Sequence, residues 1–318
     1  MIKQNKIKKI ISNILPAPAL KLLIYVYALY ISNRKGLHIE NNKSFYDIKD
    51  KKNKCIRISH KHCLYLIDIV TSFQYYWNAV SPVRTNGIFL VDYSTPKYHQ
   101  VYGYNLHPII FPSFAEPVLT TNQYLKFARI KNGSVVLDLG AYSGLTSIIF
   151  DQLVGFSGRV IAVDADIVNI QYIKMNLDLY EKITRRKVAL LEGAVWGDNN
   201  GIMFSNEGNM GSSSTSLIGS QRGDVRKINS FTLGTIAKMF QLKTIDFIKC
   251  DIEGAESVIF NDDTFFKRYH PRIIIEAHII NSKSTLQACI DQLSKYGYKF
   301  KKIKQHRISL PLLACFPA

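Results

Sequence analysis

Val135-Val-Leu-Asp-Leu-Gly-Ala-Tyr-Ser-Gly144 is the stretch of this sequence that decides its fold. Three apolar residues typical of a buried strand run into Asp138, and Gly140 and Gly144 follow before a helix-like apolar pattern over residues 145–153. A strand that turns through glycines into a helix brings the backbone of an α/β sheet close to a bound cofactor. The stretch therefore predicts a nucleotide-binding loop.

The acid at position 138 narrows the choice of ligand. Loops that bind nicotinamide dinucleotides use three glycines, which let the backbone and a helix N-terminus approach a pyrophosphate. A carboxylate in the turn repels a phosphate, but it suits a ligand that carries an ammonium group. S-adenosylmethionine (SAM) is such a ligand, so Asp138 favours SAM, with any other doubly wound nucleotide-binding fold as the alternative.

The segment after this loop repeats the alternation of strand and helix. Apolar patterns predict strands at 159–163, 187–195, 244–250 and 272–277, and a helix at 167–180. Strands that alternate with helices in this way are typical of a parallel sheet with crossover helices. The predicted fold class is therefore α/β, with a doubly wound, mostly parallel Rossmann-like sheet.

An acidic residue at the end of the second strand is the expected partner of a nucleotide ribose. Asp164 stands there, roughly 20 or more residues beyond the glycine loop, where a carboxylate accepts hydrogen bonds from ribose hydroxyls. Asp166 follows closely and is the alternative to Asp164.

Carboxylates also cluster where the fourth and fifth predicted strands end. The fourth strand leads into Asp251, Glu253 and Glu256, and the fifth leads through Glu276 to His278. Ligands of open α/β sheets bind at the carboxyl ends of the strands, so these groups should face whatever lies beside the cofactor. Alternation along the fifth strand places Glu276 and His278 on one face.

Three blocks of the sequence resemble the FkbM family of SAM-dependent methyltransferases. They are residues 136–144, 245–256 and 271–278, and they occur in the order found in the family. The Ala-Val-Trp-Gly-Asp turn at 194–198 matches as well. The block Asp-Ile-Glu-Gly-Ala-Glu at 251–256 is the most specific of these elements.

This resemblance covers roughly residues 110–300, which is the size of one domain. It implies a class I methyltransferase fold and transfer of a methyl group from SAM to a hydroxyl, commonly on a sugar or glycan and sometimes on a secondary metabolite. The second strand ends Val-Asp-Ala-Asp, where the family more often has Glu-Pro. The resemblance implies these cofactor-binding residues: Asp138, Gly140, Ala141, Tyr142, Gly144, Asp164, Ala165 and Asp198.

A sugar hydroxyl is a weak nucleophile, so a base or a metal ion must remove or polarise its proton. Asp251 is the first choice for this role, either directly or as a ligand of a divalent ion. Glu253 and His278 are its expected catalytic partners, and Glu276 joins Asp251 and His278 as a candidate metal ligand. The residues leave the choice between base and metal open.

A structural interpretation competes for two of these acids. Glu253 and Glu256 can cap the following helix, or pair with Lys249 or Arg272. For Glu256 the structural interpretation is favoured.

The basic residues concentrate at the two ends of the chain, whose net charge is +17. Residues 1–62 hold 14 basic and 3 acidic residues, and residues 299–318 hold 5 basic residues and no acid. Basic ends can contact nucleic acid, an anionic membrane or a polyanionic substrate, or can simply be solvated. Modification of nucleic-acid bases is disfavoured, because Asp-Ile-Glu-Gly follows the fourth strand where such enzymes typically have Asn-Pro-Pro-Tyr or Asp-Pro-Pro-Tyr.

The chain is long enough for one large domain with an elaboration. We predict a basic and apolar N-terminal segment at 1–35, an aromatic-rich elaboration at 36–110 and a methyltransferase domain at 111–318. The apolar stretch Leu22–Ile31 is shorter than a membrane span. Residues 1–32 therefore either lie at a membrane interface or, with slight preference, pack on the protein.

Cysteine usage indicates the compartment. Five cysteines, an odd number without a Cys-x-x-Cys pair, predict a reducing cytoplasm rather than a disulfide framework. A non-catalytic scaffold that keeps the fold without binding SAM is the remaining alternative to an enzyme.

Overall fold

The computed structural model describes residues 17–115, 118–206, 213–214, 224–280, 283–305 and 310–317. The chain divides into two compact units, Met1–Leu119 and Thr120–Ala318. Of the predicted N-terminal segment, residues 1–16 lie outside the described residues.

The first unit is built on a five-stranded sheet. Its strands are β1 (Leu37–Asn41), β2 (Phe45–Asp50), β3 (Lys54–Ser59), β4 (Val83–Thr85) and β5 (Ile88–Tyr93), with β6 (Tyr98–His99) and β7 (Ile109–Ile110) as a separate pair. The order is β1-β2-β3-β5-β4, and only the β3–β5 pair is parallel. Ile48, Ile56 and Ile58 are fully buried and form part of its core.

Three helices accompany this sheet: α1 (Ala17–Arg34), α2 (Leu66–Thr71) and α3 (Phe73–Trp77). A 3-10 helix at His60–Tyr65 precedes α2. Helix α1 buries Ile24 and Ala28. In the part of the chain that the structure describes, no helix has the length and apolar character needed to cross a bilayer.

The second unit contains most of the predicted strands. They are β8 (Val135–Leu139), β9 (Arg159–Asp164), β10 (Ala189–Glu192), β11 (Ala194–Val195), β12 (Ile202–Asn206), β13 (Ser213–Ser214), β14 (Asp224–Ile228), β15 (Ser230–Phe231), β16 (Phe247–Cys250), β17 (Arg272–Glu276), β18 (Ile279–Ile280), β19 (Lys283–Ser284), β20 (Tyr298–Ile303) and β21 (Leu312–Pro317). The helices are α4 (Val118–Ala128), which leads into this unit, α5 (Leu145–Val154), α6 (Ile167–Thr184), α7 (Leu233–Met239), α8 (Glu256–Ile259), α9 (Asp263–Arg268) and α10 (Thr285–Ser294).

Seven of these strands form one sheet in the order β10-β9-β8-β16-β17-β21-β20. Neighbours from β10 to β17 are parallel, and β21 is antiparallel to both strands beside it. Apolar side chains from β8, β16 and β17 are buried in the large core of this unit. The predicted doubly wound, mostly parallel α/β sheet is confirmed.

The strand order reverses between β8 and β16. The chain runs from β8 outward through β9 and β10, then returns to place β16 on the other side of β8. Open α/β sheets bind their ligands at such a switch point, outside the carboxyl ends of the strands. Leu139 pairs in register with Cys250, so the glycine loop and the segment from Asp251 leave the sheet side by side.

The strand predicted at 187–195 is wrong in its extent. Residues of this stretch form β10 in the large sheet and β11, which pairs instead with β15. The break falls at Gly193, whose φ is +150°. A Cβ there would lie 2.7 Å from the ring of Phe231, so the chain passes too close to that ring for any other residue.

Gly140 is the point of closest approach at the switch point. Its φ is +78°, in the left-handed region, and a Cβ at this position would lie 1.7 Å from the carbonyl oxygen of Asp251. No real Cβ atom fits at that distance. The glycine therefore lets the nucleotide loop and the acidic segment touch through their backbones.

Gly140→Ala should destabilise the protein more than its backbone conformation alone explains. The matched control is Gly297→Ala, because Gly297 has a φ of +77° and nothing within 4 Å of its Cβ position. We expect a loss of about 1–2 kcal/mol of unfolding free energy for the control and about 3 kcal/mol or more for Gly140→Ala, because steric overlap adds to backbone strain. Urea unfolding measures both, and equal losses would contradict the close approach.

Candidate active site

The glycine loop between β8 and α5 is tied to the end of β9. The backbone N–H groups of Gly140 and Ala141 both donate to the carbonyl oxygen of Val163, at 2.9 and 3.0 Å. The N–H of Tyr142 donates to Oδ2 of Asp164 at 2.8 Å. The loop therefore holds the strand-end acid against its own backbone.

Besides Gly140, two more residues of the loop adopt left-handed backbone conformations. Tyr142 has a φ of +53°, and Gly144 has a φ of +79° at the N-cap position of α5. A left-handed non-glycine residue is uncommon and costs energy unless the surroundings hold it in place. Its hydrogen bond to Asp164 supplies such a constraint at Tyr142.

The structure encloses Asp138 beneath the glycine loop. Its side chain is fully buried, and Oδ2 accepts hydrogen bonds from the hydroxyls of Thr146 and Ser147, both at 2.6 Å. Oδ1 lies 3.5 Å from Nζ of Lys249. A carboxylate enclosed in this way organises the loop from beneath, and the contact of Asp138 with the ammonium group of SAM stays a prediction.

Lys249 is the site residue that the sequence analysis missed. Its side chain is buried; Nζ donates to the carbonyl oxygen of Gly140 at 2.5 Å and lies 3.8 Å from Oδ2 of Asp251. The sequence analysis considered it only as a partner of Glu253 or Glu256. The available signal was a lysine within the apolar strand Phe247–Cys250, since a charge buried in a central strand needs a partner.

The two acids near the end of β9 have separate functions. Asp166 caps helix α6, because its side chain accepts hydrogen bonds from the N–H groups of Val168 and Asn169. Asp164 instead faces the glycine loop, and burial raises its pKa to about 7. The geometry therefore favours Asp164 over Asp166 as the ribose ligand.

The two remaining predicted cofactor residues lie near the turn after β11. Ala165 is half-buried and packs with Trp196 on a small apolar cluster. Asp198 is exposed, and its Oδ1 accepts a hydrogen bond from the N–H of Asn200 at 2.9 Å. Its carbonyl oxygen accepts a second bond from the hydroxyl of Ser230. These contacts give Asp198 a role in shaping the turn.

Three predicted catalytic side chains do come together. Nε2 of His278 lies 3.6 Å from Oδ1 of Asp251 and 3.6 Å from Oε2 of Glu253. Both carboxylates keep 30% of their side-chain exposure, so the cluster is open to a ligand. The ends of β16 and β17 bring these residues to the same edge as the glycine loop.

Glu256 holds this cluster from behind. It is fully buried, and its Oε1 lies 3.0 Å from Nδ1 of His278 and accepts a hydrogen bond from the N–H of Ile252 at 3.0 Å. The backbone of His278 is fixed as well, through reciprocal hydrogen bonds with Thr285 at the start of α10. The structural role favoured for Glu256 thus includes orienting the imidazole.

Backbone strain is concentrated in the same segment. Glu253 has a φ of +52°, and Gly254 follows with a φ of +107°. A left-handed glutamate costs about 1–2 kcal/mol, and such strain persists where the surrounding structure enforces it. Here the strained turn carries Glu253 back towards His278.

Glu276 lies apart from the group that could bind a metal. Its Oε2 accepts a hydrogen bond from the hydroxyl of Tyr124 at 2.8 Å, and burial, together with the charge of Asp251, raises its pKa. Within the described residues, the one group suited to an ion is Asp251, Glu253 and His278, whose ligand atoms lie within 4.8 Å of one another. Glu253 therefore takes the place that the sequence analysis gave to Glu276.

The cluster has the donor set of a divalent-ion site. One imidazole nitrogen and two carboxylate oxygens suit ions such as Mg²⁺, Mn²⁺ or Zn²⁺. The contact between Glu256 and Nδ1 of His278 is the outer support that metal-bound histidines use. The residues thus fit a metal, which when bound would polarise an oxygen ligand.

Without an ion, the cluster binds protons tightly. Loss of hydration raises the pKa of Glu253 to about 8, with further increases from Asp251 and Glu256 and a decrease from His278. Loss of hydration lowers the pKa of His278, but Glu253 and Glu256 outweigh it and hold that pKa well above its usual value. The two groups are therefore coupled, because a proton bound by one changes the pKa of the other.

The fold and the site are typical of Rossmann-like SAM-dependent methyltransferases. The sheet is mostly parallel, a glycine loop lies at its switch point, and an acid stands at the end of the neighbouring strand. Residues 138–300 match the family model of the methyltransferase FkbM domain. This match spans more than half of the chain, so the chain belongs to the FkbM family and is a SAM-dependent methyltransferase. The resemblance stated from the sequence is confirmed.

Other known proteins are similar over parts of the chain. The ribosomal RNA large subunit methyltransferase E of Wigglesworthia glossinidia brevipalpis is 44% identical over 63 residues, which are 19% of this chain and 30% of that protein. The precorrin-6y C5,15-methyltransferase of Geobacter metallireducens is 16% identical, with a TM-score of 0.38 over 62% of this chain and 87% of its own. Fibrillarin of Aeropyrum pernix with bound SAM is 12% identical, with a TM-score of 0.37 over 88% of this chain and 97% of its own.

Lys249→Met should leave the buried carboxylate of Asp138 without its compensating charge. We expect a loss of about 3–5 kcal/mol in the free energy of unfolding, because removing one partner of a buried ion pair leaves the other buried without a compensating charge. The double variant Asp138→Asn/Lys249→Met should be more stable than Lys249→Met alone. Lys174→Met is the control, since the pair of Lys174 with Glu192 is exposed and should contribute less than about 1 kcal/mol. Urea unfolding in which the double variant is no more stable than Lys249→Met would contradict this pairing.

SAM affinity should rise with pH through the pKa of Asp164, which is about 7. Below that pKa the carboxyl group is protonated, and a neutral carboxyl accepts the ribose hydrogen bonds more weakly than a carboxylate does. One pH unit below this pKa, about a tenth of the Asp164 side chains are ionised. The affinity for SAM should therefore be about tenfold lower there than at high pH. Calorimetric titrations between pH 6 and 8 measure this dependence.

Two variants locate the origin of that pH dependence. Asp164→Asn should bind SAM weakly at every pH. Asp166→Asn keeps the helix cap, so it should still bind SAM with a pH dependence, but with the midpoint at lower pH because the charge of Asp166 helps to raise the pKa of Asp164. A pH-independent wild type, or an unchanged Asp164→Asn variant, would remove Asp164 from the cofactor site.

Proposed function

We propose that this chain transfers the methyl group of SAM to a hydroxyl of a sugar or glycan, with Asp251 as the group that takes the hydroxyl proton. One observation carries this proposal: Asp251 leaves its strand in backbone contact with Gly140 of the cofactor loop while its carboxylate lies open beside His278. A carboxylate in that place is next to both the cofactor and a substrate.

The chemistry needs little more than alignment and one proton acceptor. The acceptor oxygen attacks the methyl carbon of SAM, the carbon–sulfur bond breaks, and S-adenosylhomocysteine leaves with the bonding electrons. The hydroxyl proton passes to Asp251. Holding oxygen, carbon and sulfur in line can supply up to about 7–11 kcal/mol, and a positioned base contributes about 10²- to 10⁴-fold in rate.

His278 and Glu256 position that base. The imidazole lies 3.6 Å from Asp251, and Glu256 holds the opposite ring nitrogen at 3.0 Å. This chain of contacts fixes the direction in which the carboxylate of Asp251 faces. Glu253 lies 3.6 Å from the same ring nitrogen as Asp251 and completes the open face of the cluster.

The acidic character of the cluster supports a neutral, hydroxyl-bearing acceptor. Asp251, Glu253 and His278 offer partners for sugar hydroxyls, and they would repel a phosphate placed against the carboxylates. The same three residues fit a divalent ion, so exhaustive chelation is part of the test. Turnover that survives chelation supports Asp251 as the base, whereas turnover restored only by an added ion assigns the role to the metal.

RNA is the competing acceptor. The 63-residue similarity to a ribosomal RNA methyltransferase and the basic ends of the chain favour it. Incubating the protein with labelled SAM and an extract of host glycans, lipids and RNA separates the two. Label that survives ribonuclease and is released as a methylated sugar supports the proposal, and label that ribonuclease removes contradicts it.

Asp251→Asn should abolish turnover and leave SAM affinity nearly intact. We expect at least about a hundredfold loss of rate, because the amide cannot accept the proton. Asp224→Asn is the matched control, since Asp224 is an exposed strand residue outside the cluster and its loss should not alter the rate. The rate is measured with labelled SAM and the acceptor fraction found above; a variant as fast as wild type would exclude Asp251 as base or ligand.

A further inference from the structure

Helix α1 is apolar on two opposite faces. Its inner face buries Ile24 and Ala28 in the first unit. The outer face carries large apolar side chains that remain exposed to solvent, and together they are called the outer stripe: Leu22 (63% exposed), Leu23 (42%), Val26 (54%), Tyr27 (37%) and Tyr30 (57%). A helix that is apolar all round is ordinarily buried all round.

The spacing makes the outer stripe continuous. Leu22, Val26 and Tyr30 succeed one another at intervals of four residues, and Leu23 and Tyr27 flank them on the same side. The rings of Tyr27 and Tyr30 stack with their centroids 6.4 Å apart. A contiguous exposed apolar surface of this kind marks a place where the protein meets a partner.

The charged residues of the N-terminal sequence are all of one sign. Residues 1–35 contain seven basic residues and no acid, the first acid of the chain being Glu40. Arg34 belongs to the stripe itself, because its guanidinium lies 5.6 Å from the ring centroid of Tyr30 and donates to its hydroxyl at 3.1 Å. The other basic residues are Lys3, Lys6, Lys8, Lys9, Lys21 and Lys35.

These charges select the partner. A second copy of the chain would bring two such basic segments together, and like charges at an interface oppose association. A nucleic acid would match the charge but would leave the apolar side chains in water. An anionic bilayer surface satisfies both features, since its headgroups attract lysines and its interface accepts leucine, valine and tyrosine side chains.

We propose that the outer stripe of α1, with the basic residues of segment 1–35, binds the surface of a membrane that contains anionic lipids. The helix lies along the interface and leaves its inner face packed on the protein. Apolar burial and lysine attraction act together, and two such contributions are what stable peripheral binding requires. This inference goes beyond the proposed methyl transfer and does not depend on it.

Co-sedimentation of the full chain with vesicles tests the proposal. We expect the wild type to pellet with vesicles of phosphatidylcholine and phosphatidylserine, and to remain largely in the supernatant with phosphatidylcholine alone. Leu22→Gln/Val26→Gln/Tyr30→Gln should lower the affinity for the mixed vesicles at least about tenfold, because the stripe supplies the apolar contact. The matched control is Val83→Gln/Tyr102→Gln, two exposed apolar residues of the same unit, which should bind like wild type.

A second variant tests the proposal without changing the helix, in case the first variant loses binding only because it misfolds. Lys3→Gln/Lys6→Gln/Lys8→Gln/Lys9→Gln leaves α1 unchanged and should also weaken binding at least about tenfold, since each lysine near the surface adds to the attraction. The proposal is overturned if the wild type ignores the mixed vesicles or if either variant binds them as well as wild type. It is also overturned if light scattering finds a dimer that the stripe variant converts to a monomer.

Discussion

The active site depends on the backbone contact between Gly140 and Asp251. The strand order reverses between β8 and β16, and at this reversal the cofactor loop and the acidic segment leave adjacent strands in the same direction. Any side chain at position 140 would overlap the carbonyl oxygen of Asp251. The glycine is therefore needed for contact between the two segments as much as for the turn.

Lys249 compensates the negative charges of the two carboxylates that lie beside that contact. Two carboxylates, Asp138 beneath the loop and Asp251 above the strand end, lie near one buried ammonium group. The same ammonium donates to the carbonyl oxygen of Gly140. A buried charge is costly unless it is paired, so the lysine and the two acids stabilise one another only as a set. The loop, the strand and the catalytic carboxylate consequently form one interdependent structure.

Much of this arrangement follows from local patterns in the sequence. Asp251, Glu253 and His278 follow predicted strands, and parallel strands carry their ends to one edge, so the meeting of these three side chains could be predicted. The direction of Asp138 could not, because it depends on helix α5 presenting Thr146 and Ser147 to it. The partners of Lys249 follow only from the register between β8 and β16. The break at Gly193 is set by Phe231, which the chain brings there from another strand.

Glu276 and Glu253 illustrate the same limit. Spacing alone placed Glu276 and His278 on one face, yet the hydroxyl of Tyr124 draws Glu276 towards helix α4. Glu253 reaches His278 instead, through a left-handed turn that no propensity favours. Long-range packing decided both outcomes.

A crystal structure with S-adenosylhomocysteine would test the central claim most directly. We expect the ribose hydroxyls to lie on Asp164, the nucleoside along the loop from Gly140 to Gly144, and the sulfur to face the carboxylate of Asp251. A ligand bound away from that loop, or a sulfur atom directed away from Asp251, would contradict it.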